Sequence, residues 1–182
     1  MKTNKLFVLL ALLSVGLLSA CAARKAVYFT QPIRQNVESY DITVDQIQFY
    51  NSHKIVLYRN LSYEQTKVAS GKIRFENGEF IERIIIKKNT PGLCETFDDN
   101  MIDVSFEQGE NRQLKFVRDS QDKYRISALE WKNKEGKINY DTTFFYIAPG
   151  GERALLKVKL EDIFKFKTEE RVAPGRSISG SK

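Results

Sequence analysis

Cys21, Cys94 and a single histidine, His53, are the side chains of this 182-residue sequence best suited to nucleophilic or soft-ligand chemistry. A cysteine and a histidine can form a nucleophilic pair however far apart they lie in sequence, provided the fold brings them together. Cys94 sits in Gly92-Leu93-Cys94-Glu95, which carries no nucleophile signature. His53, in Asn51-Ser52-His53-Lys54, falls between two apolar runs and reads as a loop residue. Zinc would need several Cys and His at set spacings, and the sequence does not offer them. Asp98, Asp99, Asn100 and Asp103 gather oxygen ligands that could suit calcium. They lack the alternating acids, central glycine and closing glutamate of a calcium loop, and read as a polar hairpin turn. A hydrolytic carboxylate pair is defined by a spatial separation of about 5–10 Å, so 23 acids along a chain designate no pair. Gly-x-Ser-x-Gly, P-loop and dinucleotide fingerprints are absent. Gly175-Arg176-Ser177-Ile178-Ser179-Gly180 has suggestive letters but lies in a polar tail. No catalytic residue, cofactor site or metal ligand is assigned.

Cys21 stands apart because of what precedes it. Lys2 and Lys5 give a positive start, Leu6 to Leu18 an apolar run, and Ser19-Ala20 a small-residue cleavage site. That is the three-part form of a secretory signal. The run falls short of the ~20 apolar residues a membrane-spanning helix requires, and Arg24 and Lys25 follow at once. Leu18-Ser19-Ala20-Cys21 resembles the lipobox of bacterial lipoproteins. The resemblance implies cleavage before Cys21 and acylation of its thiol, so that the partner of the N-terminus is a membrane. Each buried CH₂ contributes about 0.8 kcal/mol, so two or three chains hold a protein essentially permanently. In the same class an acid just after the cysteine directs retention in the inner membrane or export to the cell surface. Here the following residues are Ala22-Ala23-Arg24-Lys25. The resemblance therefore implies an outer-membrane lipoprotein facing the periplasm.

Removing 1–20 leaves about 160 residues, enough for one domain with its own core. The formal charge of +6 includes Lys2 and Lys5, and the remaining charge is well mixed along the chain. Nucleic-acid binding wants a clustered basic face, so no nucleic-acid partner is expected. With Cys21 acylated, Cys94 has no internal disulfide partner and reads as a small, largely buried hydrophobe.

These residues must be positioned by a chain that divides into a signal (1–20), a lipidated tether (21–29), a β-rich domain (30–173) and a disordered tail (174–182). Thr30-Gln31-Pro32 reads as a helix start, with a hydroxyl cap and Pro in the first turn. Ile33, Val37 and Tyr40 supply an apolar stripe. From Gln46 onward the period is two. Ile102/Val104/Phe106 and Leu156/Val158/Leu160 alternate with polar residues and predict strands with one face inward. Asn77-Gly78 between two such runs predicts a type I′ hairpin. Ile84-Ile85-Ile86 predicts a strand covered on both sides. Thr90-Pro91-Gly92 and Ala148-Pro149-Gly150-Gly151 predict type II turns. Polar loops are expected at 108–111, 119–122 and 133–136, and an edge strand with outward lysines at Phe164–Lys167. About ten short strands spaced this way predict a mostly β fold, an antiparallel sandwich or small barrel with one short N-terminal helix.

Ile86 to Gly92, followed by Met101 to Phe106 and Gln108-Gly109, resembles the strand–turn–strand rhythm of SH3-like barrels. Gln46-Ile47-Gln48-Phe49-Tyr50 with Ile55-Val56-Leu57 is similar to a recurring element of uncharacterised Bacteroidota envelope lipoproteins, which implies a small β-rich envelope domain and no catalytic residues. Tyr140, Phe144 and Tyr146 are read on one strand face and Phe145 on the other. Such aromatics either fill the core or, if exposed, stack on sugars or anchor a protein. The expectation is a non-catalytic binding or structural module with an envelope protein or glycan as partner. Two alternatives stay open: a hydrolase using carboxylates, which would show a deep cleft with two acids, and a small-ligand or lipid carrier, which would show an open apolar lumen.

Overall fold

The computed structural model describes residues 26–67 and 72–164. The expected signal, Cys21 and the tail 174–182 lie outside the described residues. The chain starts its fold early. Strand β1 (Val27–Tyr28) pairs with β13 (Leu156–Val158), and Phe29 is fully buried, so the tether ends before Val27 rather than at residue 29. Helix α1 (Gln31–Glu38) begins as its sequence requires: Thr30 is extended, its hydroxyl accepts from the Ile33 N–H at 3.5 Å, and Pro32 sits in the first turn. The stripe differs from the expected one. Ile33 packs half-buried against the core and Val37 is buried, but the helix has ended by Tyr40, which is 41% exposed, and Arg34 also turns inward.

Twelve further strands follow in two antiparallel sheets among the described residues. They are β2 (Phe49–Asn51), β3 (Ile55–Leu61), β4 (Lys72–Glu76), β5 (Glu79–Ile86), β6 (Pro91–Phe97), β7 (Met101–Ser105), β8 (Gln113–Arg118), β9 (Tyr124–Ile126), β10 (Glu130–Lys132), β11 (Glu135–Tyr140), β12 (Thr143–Ile147) and β13. One sheet runs β1-β13-β2-β6-β7-β8-β9, the other β10-β11-β12-β3-β5-β4. The sheets do not close into a barrel, and of the two expected architectures the sandwich is the one formed. Its interior is filled by Phe29, Phe49, Phe116, Tyr124, Tyr140 and Phe145 with the Ile, Leu and Val side chains between them. Each such burial contributes about 1.5–3 kcal/mol.

The alternations hold where strands run and fail where they stop. Ile102 and Val104 face inward opposite Phe116 and Leu114. Leu156 and Val158 do the same, but Leu160 leaves the pattern because helix α2 (Leu160–Phe164) begins there. The edge strand expected at Phe164–Lys167 is therefore not formed at Phe164, and Lys165 to Lys167 lie outside the described residues. Asn77 and Gly78 both have positive φ (51° and 85°), as the β4–β5 hairpin demands. Ile86 is buried while Ile85 is 46% exposed, so β5 is covered on one side only.

The two Pro-Gly sequences behave differently. Gly150 has φ 96°, and the Gly151 N–H donates to the Ala148 carbonyl at 3.0 Å, closing the expected type II turn. Thr90-Pro91-Gly92 is not a turn. The reversal lies earlier, over Lys87–Thr90, with Asn89 in the left-handed region at φ 61°. Pro91 and Gly92 already belong to β6, and Gly92 is required by close approach: a Cβ there would stand 2.6 Å from Val104 Cγ1 and 2.7 Å from the Phe106 ring. Buried Asn51 ties the crossings between the sheets. Its amide donates to the His53 carbonyl (2.6 Å) and its Oδ1 accepts from the Thr90 N–H (2.8 Å).

Candidate binding face and cleft

Cys94 and His53, to which the sequence assigns no catalytic role, share no hydrogen bond. His53, in the β2–β3 turn, shares a 2.8 Å hydrogen bond with Ser52 Oγ; burial, then Arg153, Lys88 and Arg125, hold its pKa below the ordinary value. Cys94, in β6, donates to the Thr96 carbonyl at 3.5 Å. Burial, then Asp45, Asp103 and Glu95, push its thiol up to about 12. It is protonated at neutral pH and packs against the core as a partly buried hydrophobe. The four oxygen-bearing residues do not converge either. Asp98 Oδ1 caps its own turn, accepting from the N–H groups of Asn100 and Met101 at 2.8 and 2.9 Å, while Asp103 Oδ2 accepts from Thr96 Oγ1 at 3.0 Å. Among the described residues no group of His, Cys, Asp or Glu is arranged to hold a metal ion.

The aromatics are sorted by the β11–β12 hairpin. Tyr140 shares the inward face with Phe145, the rings edge-on at 5.8 Å, because the turn at Asp141-Thr142 intervenes before Phe144. Phe144 and Tyr146 face outward, 49% and 39% exposed, and do not fill the core. Register sets their neighbours: Asn139 opposite Phe144, Lys137 opposite Tyr146, Tyr146 opposite Tyr58, and Tyr58 opposite Arg83. The Tyr58 and Tyr146 rings are 5.8 Å apart, and Lys137 Nζ stands 4.1 Å from the Phe144 centroid. Tyr58 donates to Glu135 at 2.6 Å; burial and this carboxylate push its phenol up to about 12, which keeps it a donor.

Both flanks of this hairpin open where strand registers diverge. On one side β12 pairs with β3 only at Tyr146 and Ile147, and a hollow of about 470 Å³ lies between Phe144 and Asn60. On the other side lies a cleft of about 580 Å³ between β8 and β11. Its geometry follows from three backbone bonds. Ser127 donates to Lys115 and Leu129 to Lys137, which wedges the segment 127–129 between the two strands at one end. At the other end Asp141 donates directly to Asn111 at 2.9 Å, closing the fork. Between these points the two-residue ladder period turns the main-chain groups of Gln113 and Asn139 toward the gap. Leu114, Ala128, Ile138 and Tyr140 form the floor, and Asp103, Asn111, Gln113, Ser127, Asn139 and Thr142 the polar rim, with Lys115 beside them. Asp103 Oδ1 is buried there with no hydrogen-bond partner among the described residues.

The closed end of the fork is braced. Arg112 donates to Asp141 Oδ2 (2.9 Å) and to the Gln108 carbonyl (3.1 Å), and Tyr140 donates to Glu107 Oε1 (2.8 Å). The Asp141 hydrogen bond keeps the guanidinium pKa above its ordinary value, and burial, followed by Glu107, raises the Tyr140 phenol. Thr142 is held at φ 65°, a conformation that costs a β-branched residue about 1–3 kcal/mol. The cleft was not foreseeable from sequence: Gln113 and Asn139 carry no motif, and their meeting depends on a register between strands that are not neighbours in the chain. Compared with family models, with curated proteins and with solved structures, the chain matches none.

Proposed function

We propose that this chain is a lipid-anchored, non-catalytic binding module of the bacterial envelope, held at the outer membrane by acyl chains on Cys21 and facing the periplasm. The anchor rests on Leu18-Ser19-Ala20-Cys21 at the end of an apolar run. The observation that carries the binding reading is the outward position of Phe144 and Tyr146 beside a rimmed cleft of about 580 Å³. Aromatic side chains left in water next to convergent polar groups are what a partner surface offers. Tethering adds to it, since a domain confined to a membrane meets its neighbours at high effective concentration. The packed interior between the sheets weighs against a lipid carrier.

The reading is tested by placing a photoreactive residue at Phe144, and separately at exposed Ser120, in the full-length protein in intact cells. Crosslinks to an envelope component are expected from 144 and not from 120. Equal yields, or none from either position, would refute the binding face. A Cys21→Ser variant should lose acyl labelling and membrane fractionation; retained fractionation with a processed signal would refute the anchor.

A further inference from the structure

We infer that the cleft between β8 and β11 binds a neutral saccharide unit, with the sugar chain continuing over Phe144 and Tyr146. This rests on the binding-module reading and gives it a ligand class. The rim is built from amides and hydroxyls: Asn111, Gln113 and Asn139, with Ser127 and Thr142. Each such group both donates and accepts, or can rotate to do either, which suits ring hydroxyls and acetamido groups. Its charges are one acid, Asp103, and one base, Lys115, so neither an anionic nor a cationic ligand gains from the rim as a whole. The floor of Leu114, Ala128 and Ile138 offers an apolar surface for the C–H face of a sugar or an acetyl methyl. A volume of about 580 Å³ lies within the ordinary range for small-ligand sites.

Two features sharpen the inference. Asp103 Oδ1 is a buried acceptor lacking a donor, sealed from water as the side chain stands, and a turn of that side chain toward the cleft would let a sugar hydroxyl or amide N–H supply one. The fork geometry discriminates against the other common guest of a strand gap, an added β-strand. An inserted strand needs its flanks two strand spacings apart along its whole length. Here they converge to a single backbone hydrogen bond between Asp141 and Asn111. A compact ring fits such a wedge and an extended peptide does not. Beyond the rim, Asn139 is the cross-strand neighbour of Phe144, which places an exposed aromatic one residue from the cleft.

The test titrates the full-length lipidated protein in nanodiscs with tri-N-acetylchitotriose by calorimetry. Its deacetylated, cationic counterpart and tetra-alanine serve as comparison ligands. Saturable binding of the acetylated trisaccharide is expected, at least tenfold tighter than either comparison, with slowed amide exchange at Gln113 and Asn139. Asn139→Ala and Asp103→Asn should each weaken it about tenfold. Asp103→Asn keeps an acceptor for Thr96, so folding is preserved, and unchanged thermal denaturation would confirm that. No saturable heat, equal affinity for the cationic sugar, or binding indifferent to both substitutions would overturn the inference. If the sugar fails while a probe at Phe144 still captures a protein, the saccharide inference falls and the binding-module reading stands. Failure of both removes the two together.

Discussion

Arg34→Met is the perturbation whose cost can be worked most fully from the structure. The residue is 5% exposed, yet it projects from a short N-terminal helix. Its guanidinium donates to the Asp98 carbonyl at 2.6 Å, to the Tyr124 phenol at 3.1 Å and to Glu38 at 2.8 Å, and lies 5.6 Å from the Phe97 ring centroid. Burial opposes its charge, but the hydrogen bonds to Glu38 and Tyr124 prevail and its pKa is raised. Each charge-assisted bond in a buried setting contributes about 1.5–3 kcal/mol. The Glu38 pair, i to i+4 with a partly exposed carboxylate, contributes only about 0.3–0.5 kcal/mol. Methionine keeps the apolar stem, and Asp98, whose carbonyl loses its donor, is an exposed residue. The net loss is then about 2–4 kcal/mol, a fall in Tm of roughly 5–15 °C for a domain of this size. Urea and thermal denaturation followed by circular dichroism would measure it. A cycle with Tyr124→Phe should return a coupling of about 1–2 kcal/mol. A loss within 0.5 kcal/mol of zero would show that Arg34 does not pin the helix, and would refute the reasoning.

Thr142→Gly should raise stability by about 0.5–1 kcal/mol, since glycine relieves the positive φ but brings more freedom to the unfolded chain; a fall in urea midpoint would contradict this. Gly92→Ala should destabilise by about 1–3 kcal/mol, because the added methyl meets Val104 and Phe106 inside 3 Å, and an unchanged Tm would count against that packing. Asp119 gives a pH signature. Burial opposes its charge, yet the N–H groups of Lys123 and Gln121, then Arg125, hold its pKa below the ordinary value. A depressed folded pKa contributes stability above the unfolded pKa of about 3.9, lost as pH falls through the folded value. The advantage of the wild type over Asp119→Asn should therefore be full above about pH 5 and shrink below pH 4; a gap independent of pH would contradict it.

How much of this was legible in the sequence depended on whether a local residue pair forced the geometry. Asn77-Gly78 announces its hairpin because few other pairs accept two positive φ values. The hairpins at Asn133-Lys134 and Asp141-Thr142 use the same left-handed region without glycine; the sequence marked the first only as a polar loop and did not reveal the second. The loop expected over 133–136 shrank accordingly, with Glu135 and Gly136 already in β11. Missing the turn at Asp141-Thr142 also grouped Tyr140 with Phe144 and Tyr146, which face opposite ways. Thr90-Pro91-Gly92 misled for the converse reason: Pro-Gly usually marks a turn, but here Asn89 takes the left-handed position and Gly92 yields space to β7. Leu160 fits a two-residue alternation and a helix start equally well, and chain continuation decides between them. Arg34 was invisible because periodicity counts apolar residues, while a buried arginine is licensed by partners 64 and 90 positions away.

The most direct test of the binding face joins these residues to the anchor. A photoreactive residue at Asn139 in the lipidated protein, in intact cells, should crosslink an envelope component. In a Phe144→Ala/Tyr146→Ala background with unchanged Tm, that yield should fall at least tenfold. An undiminished yield would mean that the outward aromatics do not bind, and would contradict the account.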